Sequence, residues 1–243
     1  DVKGINVGLS AYTYETKHIN GRKTINGILI PDDSTDLIGT FSYEDLDNDL
    51  AAMVERARLL REECSDLVIF YMHWGNEYQR MPDDYQKRIA NALVDGGVDI
   101  IFGSHPHVIQ PIERIYTPSG REGIVIYSMG NFISDQRFEF LNRPYTEDGI
   151  IVHIEIRKES SGNIILGEVT HTPTWVNRYF QDGQLFFEII PLPDALENRE
   201  YFNLRTQDSI NRAQNALNNT AEIIEADDTI NAIPVFSTSI SSN

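Results

Sequence analysis

A chain of 243 residues, 41% hydrophobic and 23% charged, is long enough to bury a substantial core without disulfides or a structural metal. Its formal net charge of −17 excludes long-range attraction to nucleic acid or anionic lipid. The single cysteine, Cys64, excludes an intrachain disulfide, and no apolar run reaches the roughly 20 residues of a helical membrane span.

The chain starts at Asp1 and enters the strand-like Ile5–Tyr12 almost at once, so further sequence is expected upstream. A polar loop at Asp32–Asp36 is followed by Ser42 and Asp45, which have the spacing of a capping box. Next comes a helix whose Leu46, Leu50, Met53, Val54, Ala57 and Leu60 share one face. The continuous apolar run from Asp66 to Met72 predicts a strand covered on both faces. Pro82 opens a second helix with Asp83 and Asp84 in its first turn, where the helix dipole favours anions. Tyr85, Ile89, Ala92 and Leu93 form its inner stripe, and Gly96-Gly97 stops it.

Val98–Phe102 predicts another buried strand, and Ile109–Tyr116 and Gly123–Tyr127 two more, with a turn at Pro118-Ser119-Gly120. The alternation over Ile150–Arg157 predicts a half-exposed strand that pairs with Asn163–Thr172, and Leu185–Ile190 is a further apolar stretch. Beyond Pro191-Leu192-Pro193 the composition turns to Asn, Asp, Glu and Ala. Residues 1–190 therefore read as the main domain and 191–243 as an acidic extension. One or two helices are expected between Leu204 and Ile224, with a fraying, serine-rich end at Phe236–Asn243. Strand–helix–strand–helix–strand followed by strands alone predicts a layered α/β sandwich of mixed sheets flanked by helices, its second half mostly antiparallel.

Three of the six histidines follow predicted strands: His73 after Met72, and His105 and His107 after Phe102. Ligands gather beyond the carboxyl ends of strands in open α/β sheets, so two adjacent parallel strands would bring all three rings into one crevice. In an extended loop the i, i+2 spacing of His105 and His107 sends both rings to one side, with Pro106 stiffening the pair. Neutral imidazole is a common ligand for borderline transition metals. Glu77 reads either as a partner fixing the tautomer of a ligating histidine or as a surface carboxylate beside Arg80. Asn131, in Ser128-Met129-Gly130-Asn131-Phe132, reads either as orienting a ligand or a bound phosphate oxygen, or as part of a turn. His18, His153 and His171 read as structural or exposed, and Cys64 as a small packing residue.

In this order, His73-Trp74-Gly75-Asn76-Glu77-Tyr78, Gly103-Ser104-His105-Pro106-His107-Val108 and Ser128-Met129-Gly130-Asn131-Phe132-Ile133 resemble the CapA family of poly-gamma-glutamate capsule synthesis proteins. Gly4–Tyr14 looks like the strand that precedes this half of the family, and the resemblance runs from roughly Ile5 to Phe187. The family is similar in fold to calcineurin-like metallophosphoesterases. The resemblance implies His73, His105 and His107 as metal ligands, with His105 the catalytic candidate as a neighbour of the attacking water. It implies two divalent ions (Mn, Zn or Fe) in the complete protein. The family's earlier motifs, which carry Asp, Asn and His ligands, have no counterpart here. This chain is therefore expected to be a C-terminal portion that lacks its N-terminal half and holds part of the ligand set.

Two functions follow from that resemblance. One is metal-dependent hydrolysis in cell-envelope polymer metabolism. The other is a non-catalytic part in a polymer synthesis and export complex. The implied partners are the upstream half of the same protein, other capsule synthesis proteins, and an anionic polymer or phosphoester substrate, with no nucleic acid. The implied location is the cell surface, tethered to the membrane through a missing N-terminal segment. A fragment without activity by itself is a third reading. The charge of −17 opposes an anionic polymer unless a metal or a local basic patch offsets it, and the 20 basic residues mark no such patch in the sequence.

Overall fold

The computed structural model describes residues 1–224 and the two-residue strand Ile233–Pro234. The serine-rich end expected to fray lies outside the described residues. β1 (Val7–Tyr14) is followed by the short strands β2 (Thr16–Ile19), β3 (Arg22–Ile25) and β4 (Ile28–Leu29), and then by β5 (Thr40–Phe41). Next come α1 (Leu46–Glu62), β6 (Leu67–His73), α2 (Asp84–Asp95), β7 (Ile100–Ser104), β8 (Ile112–Tyr116) and β9 (Glu122–Ile126). The chain continues through α3 (Phe138–Leu141), β10 (Asp148–Lys158), β11 (Ile164–Gln181), β12 (Gln184–Pro191), α4 (Leu192–Glu197) and α5 (Gln207–Ile224). The last described strand, β13, is Ile233–Pro234 and pairs parallel to β11.

The central sheet has the order β5-β1-β6-β7-β9-β8 and is parallel apart from the edge strand β8. Successive side chains of a strand point to opposite faces, and β6 divides accordingly. Val68, Phe70 and Met72 join Leu50, Met53, Ala57, Ile89 and Leu93 in a core beneath α1 and α2. Leu67 faces the other way and packs with Ile100, Ile124, Ile150 and Val169, where the antiparallel sheet β10-β11-β12 covers the central one. α4 and α5 close over the second sheet through Trp175, Ile190, Leu192, Ala213 and Ala216. The layers are thus helices, parallel sheet, antiparallel sheet and helices.

Several local expectations change. The capping box forms at α2 rather than α1: Asp83 accepts from the Gln86 N–H, and the Gln86 side chain accepts from the Asp83 N–H. At α1 the cap residue is Asp45, whose side chain accepts from Asn48 Nδ2 rather than from a helix N–H, and the Ser42 hydroxyl accepts from the Glu44 N–H. On α2 the inner stripe includes Gln86 and omits Tyr85, which is 48% exposed. The expected strand Ile109–Tyr116 starts only at Ile112, since Pro111 brings no N–H to the ladder. β11 extends to Gln181, straight through Pro173, which ended the predicted strand. Among the described residues, β6 is not covered along its whole length on both faces. The second sheet reaches the starts of β1 and β6 but stops short of Leu9, 67% exposed, and Tyr71, 44% exposed. Cys64 is exposed rather than packed, and has φ 73 just after α1.

The three-stranded sheet β2-β3-β4 was not expected. Its turns are Asn20-Gly21 and Asn26-Gly27, all four residues at positive φ, as two-residue hairpin turns require.

Candidate metal site

β6 and β7 run parallel with His73 opposite Ser104, so both strands end at the same edge of the sheet. The chain leaves β7 through His105-Pro106-His107. This segment is not the extended loop the spacing predicts: His105 has φ 98 and His107 φ 58. Pro106 disfavours right-handed helical backbone at His105, and left-handed backbone at two non-glycine residues marks local strain. Two hydrogen bonds fasten this turn to the segment after β6, from Trp74 N–H to the Ser104 carbonyl (3.2 Å) and from Tyr78 N–H to the Pro106 carbonyl (2.8 Å).

The three histidines come together. Ring centroids of His73 and His105 are 4.5 Å apart, and those of His105 and His107 6.1 Å apart. Ligating atoms of Glu77, His105 and His107 all lie within 4.8 Å of one another, close enough to hold one metal ion. This donor group includes Glu77 directly, where the sequence offered it as a partner of a ligand. His73 is not part of the group and packs on the His105 ring instead.

Burial holds His105 down to about 4, helped by the charges that His73 and His107 would carry, and it lowers His73 in the same way, helped by His107. Both rings are therefore neutral near pH 7, the form that carries a ligating lone pair. The Tyr14 hydroxyl meets Nε2 of His105 at 3.1 Å, and its ring stacks on His73 at 5.9 Å. Burial, and next Glu77, raise the Tyr14 pKa, so the phenol keeps its proton.

Asn131 follows the strand β9 and the turn at Gly130, which takes φ +73. Its Nδ2 donates to the Thr146 carbonyl (2.9 Å) and the His107 carbonyl (3.4 Å). The amide is thereby oriented with Oδ1 toward His107 Nδ1, at 2.9 Å. An amide oxygen only accepts, so Nδ1 carries the proton and Nε2 the lone pair.

The other histidines sit elsewhere. His18 pairs with Glu15 at 2.6 Å, His153 meets the Thr172 hydroxyl at 3.1 Å on an exposed strand, and His171 is buried in β11.

Sequence reasoning passed over Tyr14 and Arg143. Tyr14 shares a strand face with Tyr12, two residues beyond the expected strand end, so its alternation was a usable signal. Arg143 gave none. Its guanidinium lies 5.5 Å from the centroid of the Tyr78 ring, which stacks on His107 at 6.2 Å.

A family model described as "Bacterial capsule synthesis protein PGA_cap" matches residues 1–136, a span that includes His73, Glu77, His105, His107 and Asn131. The chain is 39% identical to the PGA biosynthesis protein CapA of Bacillus subtilis (strain 168) over 98 residues, 40% of this chain and 23% of that protein. It is 37% identical to the capsule biosynthesis protein CapA of Bacillus anthracis over 120 residues, 49% of this chain and 26% of that protein. A protein of Mycobacterium tuberculosis (strain ATCC 25618 / H37Rv), named as a probable polyglutamine synthesis accessory protein, is 28% identical over 131 residues, 53% of this chain and 32% of its own length. The matched part of the chain thus spans about a quarter of the length of the two Bacillus relatives.

Proposed function

This chain belongs to the bacterial capsule synthesis protein PGA_cap family, and from that membership we propose that it serves poly-gamma-glutamate capsule synthesis through a metal-dependent, phosphoesterase-like hydrolytic site. The observation that carries this reading is the convergence of Glu77, His105 and His107 at the carboxyl ends of adjacent parallel strands. Two imidazoles and a carboxylate are a donor set suited to manganese, zinc or iron. A bound divalent ion supplies Lewis acidity and lowers the pKa of a coordinated water.

The chain's own residues prepare the site. Asn131 holds the proton on Nδ1 of His107, Tyr14 fixes the ring of His105, and Trp74, fully buried, anchors the loop that carries Glu77. His105 is the residue proposed beside the attacking water. The reading includes a calcineurin-like metallophosphoesterase sandwich in which further polypeptide supplies a second set of ligands. The open face at Leu9, Ala11 and Tyr71 suits cover by such a segment, since parallel sheets are ordinarily buried on both sides. A cell-surface location agrees with the names of the Bacillus relatives. No helix among the described residues is long and apolar enough to cross a membrane.

Elemental analysis after reconstitution with manganese and zinc tests the reading. About one transition ion per chain, lost in His105→Ala and His107→Ala, is the expected result for three donors. A wild-type chain that holds no metal would favour the second reading, a non-catalytic component of the synthesis and export machinery. The word "accessory" in the mycobacterial relative's name motivates that alternative.

A further inference from the structure

We propose that Arg143 is the anion-recognition residue of this site, taking an oxyanion of the substrate (a carboxylate or a phosphoryl group) beside His107. The proposal deepens the reading of Glu77, His105 and His107 as the reacting end of the site.

Three observations carry it. Two aromatic contacts tie the guanidinium to the histidine cluster: Arg143 over Tyr78 at 5.5 Å, and Tyr78 on His107 at 6.2 Å. Tyr78 is in turn fixed by its N–H bond to Pro106 in the histidine turn. A cation–π contact holds a guanidinium in place without neutralising it, so its fork of donors stays available.

The charge state of the neighbourhood is the second observation. Arg80, Arg137, Arg178 and Arg212 each pair with a carboxylate, while Arg205, just before α5, bonds the Asn203 amide oxygen. Arg143 is exposed and forms no ion pair among the described residues. An unpaired guanidinium on a chain of net charge −17 is the local positive charge an anionic substrate needs.

The third is space. Arg143 also lines a cavity of about 320 Å³ bounded by Tyr145, Asp148, Trp175, Arg212 and Asn219. That is near the lower end of the size of ligand pockets. Arg143 thus stands between this cavity and Tyr78, the ring that stacks on His107.

The test titrates the chain, with and without manganese, against inorganic phosphate and against a γ-linked oligoglutamate, while manganese binding is measured separately. Arg143→Ala should weaken anion binding roughly tenfold or more, as expected for loss of a charge-assisted pair, with manganese affinity unchanged. Arg143→Lys should recover part of the loss, since it restores the charge but not the fork. The probe that responds identifies the source of the oxyanion. Equal anion binding by wild type and Arg143→Ala, or no anion binding by wild type, would overturn the proposal. A wild type that binds anions through Arg143 but no manganese would remove the metal reading and leave Arg143 assigned.

Discussion

Asn131 Oδ1 lies 2.9 Å from His107 Nδ1, and the same amide donates from Nδ2 to the Thr146 carbonyl at 2.9 Å. The second bond orients the amide, and the first then fixes the tautomer of the histidine. Partners of this kind typically contribute 10- to 100-fold to metal affinity. Asn131→Ala should therefore weaken manganese or zinc binding by about that factor, read by isothermal titration calorimetry. Nitrogen NMR of the wild type should show the His107 proton on Nδ1. A proton on Nε2, or an Asn131→Ala chain with wild-type metal affinity, would remove Asn131 from the site.

Gly103 opens the His105-Pro106-His107 segment, and its need for glycine is steric. A Cβ there would stand 2.0 Å from the Tyr127 carbonyl oxygen and 2.6 Å from Trp74 Nε1. Those two groups are hydrogen-bonded to each other at 2.9 Å in the core. Gly103→Ala must push apart β7, the indole and the end of β9, at a cost of about 1–3 kcal/mol. Urea unfolding should show a lower midpoint with an unchanged slope. A midpoint equal to wild type would mean that the strands yield without cost.

The fold's first half was readable because its signals are local. Apolar runs at 67–72 and 98–102 and the stripe on α1 need no knowledge of the rest of the chain. The histidine crevice follows from those strands being parallel neighbours. What escaped the sequence depended on distant residues. Tyr85 has the period of an inward residue, but Gln86 takes the buried place because Gln110, 24 positions away, satisfies its amide. Pro173 is a breaker on local grounds, yet β11 runs through it with pairing to β10 on either side. Glu77 reaches the donor group because the chain turns at Gly75, φ +78, and Tyr78, φ 63, which sequence spacing does not reveal. The two Asn-Gly turns of β2-β3-β4 are a local hairpin signal that the sequence does carry.

Asp148 makes stability depend on pH in an unusual direction. Burial, and then the charge of Glu147, push its carboxyl up to about 7, against the hydrogen bond from Asn219 and the charge of Arg80. In the unfolded chain it titrates near 3.8. Between about 4 and about 7 the folded state keeps a proton that the unfolded state has released, so this group's contribution falls as pH rises through that window. Below the window there is no penalty, and above it the penalty is complete. Asp148→Asn keeps an acceptor for Asn219 and removes the titration. Unfolding at pH 4.5 to pH 8 should therefore show the variant gaining on wild type by up to ~1.4 kcal/mol per pH unit, then levelling. A constant difference across the range would show that Asp148 titrates normally.

Gln86 and Gln110 form a buried relay from α2 to the segment that carries Glu77. Gln86 Oε1 accepts from the Asp83 N–H at 3.0 Å, and its Nε2 donates to Gln110 Oε1 at 2.8 Å. Gln110 Nε2 then donates to the carbonyls of Gln79 (2.9 Å) and Met81 (3.2 Å). Replacing either by leucine strands buried polar partners, at about 1–3 kcal/mol each. Because each change disrupts the same bond, the double variant should lose less than the sum, with a coupling of about 0.5–3 kcal/mol. Gln110→Leu should also weaken manganese binding more than Gln86→Leu does, since Gln110 alone of the two hydrogen-bonds the backbone just after Glu77, at Gln79 and Met81, whereas Gln86 only packs on Gly75. Equal effects on metal affinity, alongside the expected stability losses, would show that the relay supports the fold without positioning Glu77.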